Sequence, residues 1–159
     1  MPQLSMHSPV GDLTVTEEDG QIISLDWGWV PSEWQEETPL LLTAIEQLND
    51  YFDAKRLEFD LPLNPPGSQF QKAVCSAMSA IPAGQTRSYG EIAKDLDSSA
   101  QAVGNACGLN PIPIIIPCHR VLAANREMGG FSGQGGVETK KKLLALENAL
   151  PPQQQSLDL

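Results

Sequence analysis

The chain has no long uninterrupted apolar run and no opening stretch of basic then apolar residues. A membrane-spanning helix needs about 20 mostly apolar residues, so neither a membrane partner nor a secretory leader is expected. Cysteine is scarce and odd in number: Cys75, Cys107 and Cys118 lie far apart. Histidine is scarcer still, with only His7 and His119. That set builds neither a disulfide framework nor a paired-cysteine zinc site, and free thiols fit a reducing cytoplasm. Bases are also few, 10 against 20 acids, for a net charge of −10. A surface covered in nucleic-acid-binding charge is therefore excluded. The shortage is uneven. Residues 1–60 carry 13 of the acids with only Lys55 and Arg56 among the bases, and the remainder is close to neutral. A polyanionic partner would have to approach the C-terminal part, with modest and salt-sensitive affinity.

What is present is enough for a folded protein. With 159 residues and 41% hydrophobic content, the chain can bury a core as one domain or two small ones. Residues 11–16 alternate like a half-buried strand, Asp19-Gly20 is a hairpin turn, and residues 21–27 return with Ile23, Leu25 and Trp27 on one face. Thr38 can cap a helix that has Pro39 at its first position, with Leu41, Ile45, Leu48 and Phe52 at helical spacing over residues 39–53. The proline-rich stretch 61–67 is the best boundary, giving units of 1–63 and 68–150 and a polar, unstructured tail at 151–159.

In the second unit Ser68 caps a helix with Phe70, Val74 and Met78 inward, while Ser88 and Glu91 have capping-box spacing before Ile92, Ala93 and Leu96. Ala100 to Leu109 reads as a second short helix with Val103, Ala106 and Cys107 inward, and two short helices across a tight turn suggest helix-turn-helix. Its small residues, Ala100, Ala102, Gly104, Ala106 and Gly108, permit close approach of a neighbouring helix or of a nucleic-acid groove. The glycine-rich 129–136 lacks the phosphate-loop pattern and reads as a mobile pocket wall. A helix over 137–150 has Leu143, Leu144 and Leu146 inward, with Lys140, Lys141 and Lys142 on a solvated face.

The chain is organised around Ile112-Pro-Ile-Ile-Ile-Pro-Cys-His-Arg-Val121, an apolar β-branched run between prolines that ends in a cysteine and a histidine. It reads as a short, buried, extended segment stiffened by its prolines. Cys118 then stands where a rigid frame turns, as a positioned nucleophile requires. A lone cysteine is by default a small core residue.

Pro117-Cys118-His119-Arg120-Val121 resembles the methylated-DNA–protein-cysteine methyltransferases, which repair 6-O-alkylguanine. The resemblance extends over Ser88-Tyr-Gly-Glu-Ile-Ala93, Ala102-Val-Gly104, Asn110-Pro-Ile-Pro113 and Leu143-Leu-Ala-Leu-Glu147, and also touches Ser8–Leu13 and Phe70-Gln71. It implies an α+β fold: a small mixed N-terminal α/β domain, ribonuclease-H-like, and a C-terminal winged helix-turn-helix domain. Cys118 would be the one-time alkyl acceptor, with His119 taking its proton through a water and Glu147 orienting the imidazole. Asn110 would hold the active-site turn, and Tyr89 would help rotate the base or protonate the leaving guanine. Phe131, in place of the family's usual tyrosine, would line the alkyl pocket with Ser132 and Pro113. Gln71, Tyr89 and the start of the second helix, Ala100, Gln101 and Gly104, would touch DNA. The partner implied is double-stranded DNA containing alkylated guanine, bound by a monomer that needs no cofactor because the lesion is the donor.

Three departures bear on docking. Gln101 stands where the family commonly has an arginine finger, the turn between Tyr89 and Gln101 is two residues shorter than usual, and the glycine loop is two residues longer. Chemistry is expected to be retained and DNA affinity reduced. The competing readings are a lesion sensor that binds without transfer and a turnover cysteine hydrolase.

Overall fold

The computed structural model describes residues 1–131 and 133–151. The expected tail therefore lies almost wholly outside the described residues, as does the pocket assignment of Ser132. The chain opens with an antiparallel sheet of β1 (Gln3–Met6), β2 (Leu13–Glu18) and β3 (Gln21–Trp27), with β2 in the middle. Asp19 and Gly20, both at positive φ, make the hairpin turn. A register shift at Thr16/Glu17 alters the alternation of β3. Ile22, not Ile23, is therefore fully buried with Leu25. Strand β1 is absent from the sequence reading. Its four residues are too short for a periodic signal, and their pairing with β2 defines the strand.

Helix α1 (Pro39–Phe52) follows, with the Thr38 hydroxyl accepting from Leu41 N–H. Its buried face is Leu41, Ala44, Gln47, Leu48 and Tyr51. After the proline-rich link come α2 (Gln69–Ser79), capped by Ser68, and β4 (Arg87–Ser88), which leads directly into α3 (Tyr89–Asp95). Ser88 and Glu91 complete the capping box that begins α3. Helix α4 (Ala100–Gly108) packs on α3 and α2, burying Val103, Ala106 and Cys107. Strand β5 (Val121–Leu122) pairs parallel to β4, and α5 (Val137–Leu146) closes the chain. One apolar cluster runs from Leu4 and Leu13 through Val74 and Ile92 to Leu143, so both units share a core. Among the described residues no helix is long and apolar enough to cross a membrane. All three cysteines are free and buried.

Three expectations need correction. The 112–116 run is a tight buried turn, not an extended segment: Ile116 N–H donates to the Ile112 carbonyl at 2.9 Å, and Ile114 sits at φ 73°. A β-branched residue there is strained by about 1–3 kcal/mol, and the fully buried isoleucines around it hold the turn closed. Lys140 is fully buried rather than solvated. Helix α5 ends at Leu146, because Asn148 turns to φ 58° and leaves Glu147 as the cap, folded inward.

Candidate active site

The strained turn delivers the cysteine. Asn110 straddles it: its side-chain amide donates to the Ile116 carbonyl at 2.8 Å, and its oxygen accepts from Ile112 N–H at 3.0 Å. Cys118 follows, its N–H donating to the same Ile116 carbonyl. It opens a single 3-10 turn over Cys118–Arg120. That bend lets the adjacent Cys118 and His119 serve one site, which an extended chain would not.

His119 and Glu147 are both completely buried and meet at 2.7 Å through Nε2 and Oε2. An ionised carboxylate only accepts, so Nε2 carries the proton and the neutral imidazole keeps its lone pair on Nδ1. Nδ1 is buried and has no hydrogen-bond partner among the described protein atoms. The carboxylate of Glu147 is heavily bonded. It also accepts from Tyr51 Oη at 2.5 Å, from Arg120 Nε at 2.8 Å and from Arg120 Nη2 at 3.0 Å. Burial works to raise its pKa, but the hydrogen bonds from His119 and Arg120 outweigh it and hold the carboxyl at about 2. Burial pushes His119 below its ordinary value. Arg120 already neutralises Glu147, and the imidazole is thereby kept as a neutral base.

Cys118 faces a cleft of about 430 Å³ lined by Tyr89, Gly104, Cys107, Gly108, Gly130 and Phe131. The glycines of α4 leave open space there, since a Cβ on Gly104 or Gly108 would touch nothing. A larger cleft of about 600 Å³ lies between residues 84–88 and 122–126 but is lined by no cysteine or histidine. Burial raises the pKa of the Cys118 thiol, while a hydrogen bond from Asn110 and the charge of Lys140 pull it back. Cys107 is also raised, to about 12, chiefly by burial.

Lys140 reaches this cleft from behind. Its ammonium donates to the carbonyls of Val121 at 2.8 Å, Met128 at 2.5 Å and Gly130 at 3.0 Å. Burial lowers its pKa to about 8. Charge-assisted bonds to three carbonyls offset much of that desolvation and pin the glycine-rich wall to β5. Tyr89 is half-buried, its ring 5.9 Å from the Lys140 nitrogen. It lies so close to Gly129, at φ 66°, that a Cβ there would come within 2.8 Å of the phenol oxygen.

Of the residues read from the sequence, Cys118, Asn110, His119, Glu147, Tyr89, Phe131 and Gly104 lie in or beside this site. Four behave differently. Gln71 is buried, and its amide donates to the Ala106 carbonyl at 2.8 Å. It therefore ties α2 to α4 and is not presented to a phosphate. Pro113 is buried in the strained turn, paired with Ile116, and is not part of the cleft lining. Ala100 and Gln101 are exposed at the start of α4, outside the cleft. Tyr51, Arg120 and Lys140 were not assigned to chemistry. Two had a signal: Tyr51 shares the face of Leu41, Ala44 and Leu48, and Lys140 precedes Leu143 and Leu144 by three and four residues. Among the described residues no cluster of side chains could hold a metal.

Comparison with known proteins shows the family. The chain matches the family model for the 6-O-methylguanine DNA methyltransferase ribonuclease-like domain over residues 4–65, and that for its DNA binding domain over residues 69–149. It is 42% identical over 155 residues to the methylated-DNA–protein-cysteine methyltransferase of Mycolicibacterium paratuberculosis, covering 93% of each chain. It is 39% identical over 151 residues to the constitutive protein of that name from Bacillus subtilis, covering 88% of this chain and 91% of that one. Among solved structures, Mycobacterium tuberculosis OGT in complex with DNA is similar at a TM-score of 0.83 and 37% identity, over 100% of both chains.

Proposed function

Since the chain belongs to the 6-O-methylguanine DNA methyltransferase family, we propose that Cys118 is the acceptor on which its reaction ends. That reaction is DNA repair: an alkyl group passes from 6-O-alkylguanine in DNA to a cysteine of the protein itself. The observation that carries the residue assignment is the tautomer of His119. With Nε2–H committed to Glu147 at 2.7 Å, the only basic lone pair is on Nδ1, in the residue next to the thiol.

The thiol gives its proton through a water to His119 Nδ1, and Glu147 stabilises the imidazolium. The thiolate attacks the alkyl carbon, the S–C bond forms, and the bond from that carbon to guanine O6 breaks. The departing guanine takes a proton, with Tyr89 beside the cleft as the nearest phenol. The product is a thioether, which water does not cleave, so each molecule acts once. A target carbon inside a duplex is reached by flipping the nucleotide. The open face around Gly104 and Gly108 admits it, and Gln101 at the exposed start of α4 fills the vacated stack. Units of 1–63 and 68–150, the second a winged helix-turn-helix built on α3 and α4, are consistent with this docking. A monomer suffices because every group of the site comes from one chain, and buried free cysteines suit the cytoplasm.

The test is intact-protein mass after incubation with an oligonucleotide carrying 6-O-methylguanine, wild type beside Cys118→Ala. A single methyl increment on the wild type alone is expected. Lesion-selective binding with no increment would replace this reading with a sensor, and repeated product release would replace it with a hydrolase.

A further inference from the structure

Phe131 lines the cleft beside Cys118, but it sits in the glycine-rich stretch 129–136, outside any helix or strand. A ring on such a segment takes its position from whatever stands behind it. Here that is Trp27, the last residue of β3, whose ring meets Phe131 edge-on, with centroids 6.0 Å apart at 89°. Trp27 is itself held firmly. Its indole N–H donates to the Val10 carbonyl at 2.9 Å, and its backbone pairs with Leu13 of the central strand. The fit is tight: a Cβ on Gly133 would collide with the Phe131 ring and come within 2.7 Å of the indole. Glycine at 133 lets the chain run close against both rings.

We propose that Trp27 sets the depth of the alkyl cleft through Phe131, and so determines selectivity between small and bulky 6-O-alkyl groups. The N-terminal unit then contributes to substrate choice without touching DNA chemistry. Removing the indole lets Phe131 retreat, and the space gained admits a ring where a methyl group sat. This rests on Cys118 being the acceptor.

The experiment measures single-turnover transfer from oligonucleotides carrying 6-O-methylguanine or 6-O-benzylguanine, for wild type, Trp27→Ala and Trp27→Phe, with folding checked by thermal unfolding. The benzyl-to-methyl rate ratio is expected to rise about tenfold in Trp27→Ala and by a smaller factor in Trp27→Phe, the range in which apolar pockets discriminate size. On a Phe131→Ala background, Trp27→Ala should add little, since the two act as one wall. A ratio within twofold of wild type in the folded variants overturns the proposal. Should Trp27→Ala not fold, the Trp27→Phe ratio decides by the same criterion. A wild type that gains no methyl overturns the Cys118 reading instead, so the two failures are distinguishable.

Discussion

Each unit holds one histidine–carboxylate pair. In the N-terminal unit His7 meets Asp12 at 2.6 Å, with side chains 80% and 43% exposed. In the C-terminal unit His119 meets Glu147 at 2.7 Å, with both side chains fully buried. The chemistry of the pairs is the same and the distances nearly so. Water screens the first pair, and exposed pairs contribute little to stability. The second pair is shielded from bulk water, and the protein supplies the partners of its carboxylate: Arg120, and Tyr51 at the same oxygen as His119, with the Ile81 carbonyl taking the spare guanidinium N–H at 2.6 Å. Burial, not pairing, turns a histidine and a carboxylate into a base with a defined lone pair. The same contrast holds for total charge. The unit with most of the acids contains no buried ion pair among its described residues, whereas the nearly neutral unit buries Arg120, Lys140 and Glu147 at the site.

Breaking each pair measures that contrast. Glu147→Gln leaves Arg120 buried without its counter-charge. It should cost about 3–5 kcal/mol in urea unfolding and slow single-turnover methyl transfer by about 100-fold or more. Asp12→Asn should change stability by no more than about 0.5 kcal/mol and leave transfer unaltered. Comparable losses in the two variants would remove the distinction.

Acid sharpens it next. The folded pKa of Glu147 is depressed to about 2 from its ordinary 4.5. The stability it contributes is therefore present above pH 4.5 and lost as pH falls from there towards 2. Burial lowers His119 below 6.5, so the unfolded chain binds its proton first and stability falls as pH drops below 6.5. Thermal unfolding from pH 7 to 2 should show this decline, and Glu147→Gln should flatten its part below pH 4.5. The transfer rate needs neutral His119, so its acid limb should lie below pH 6.5.

Tyr51→Phe probes the connection between the units. It removes one hydrogen bond to a charged acceptor and should cost about 2 kcal/mol. The effect on rate should be only a few-fold, since Arg120 and His119 still hold Glu147. A loss as large as that of Glu147→Gln would mean that the N-terminal unit fixes the carboxylate. The smallest effect concerns docking. Gln101→Arg adds one cation at the exposed start of α4 and should tighten DNA binding a few-fold, with the log–log salt slope steeper by about 1. An unchanged slope would place residue 101 away from the phosphates.

Much of the local architecture was legible in the residues. Asp19-Gly20 made the hairpin, Thr38 and Ser68 started their helices, and Ser88 with Glu91 closed a capping box, because these devices act within three or four residues of chain. The adjacency of Cys118 and His119 was legible for the same reason, while their roles came from the family resemblance. Other features depend on distant partners. Ile22 replaced Ile23 in the core because pairing with β2 leaves Ile23 as the extra, unopposed residue of a register shift. Gln71 turned inward because α4 offered it a carbonyl. Lys140 entered the interior because carbonyls of Val121, Met128 and Gly130 converge there.

The sequence by itself determined where helices and turns begin and that a cysteine and a histidine stand side by side, since capping, turn chemistry and adjacency are properties of short stretches. Only the tertiary structure decided that His119 is buried against Glu147, that Glu147 is held ionised and that Trp27 stands behind Phe131 at the cleft. Those are consequences of desolvation and contact between groups far apart in the chain, such as Tyr51 and Glu147 across 96 residues, and no local pattern encodes which buried polar group will find its partner.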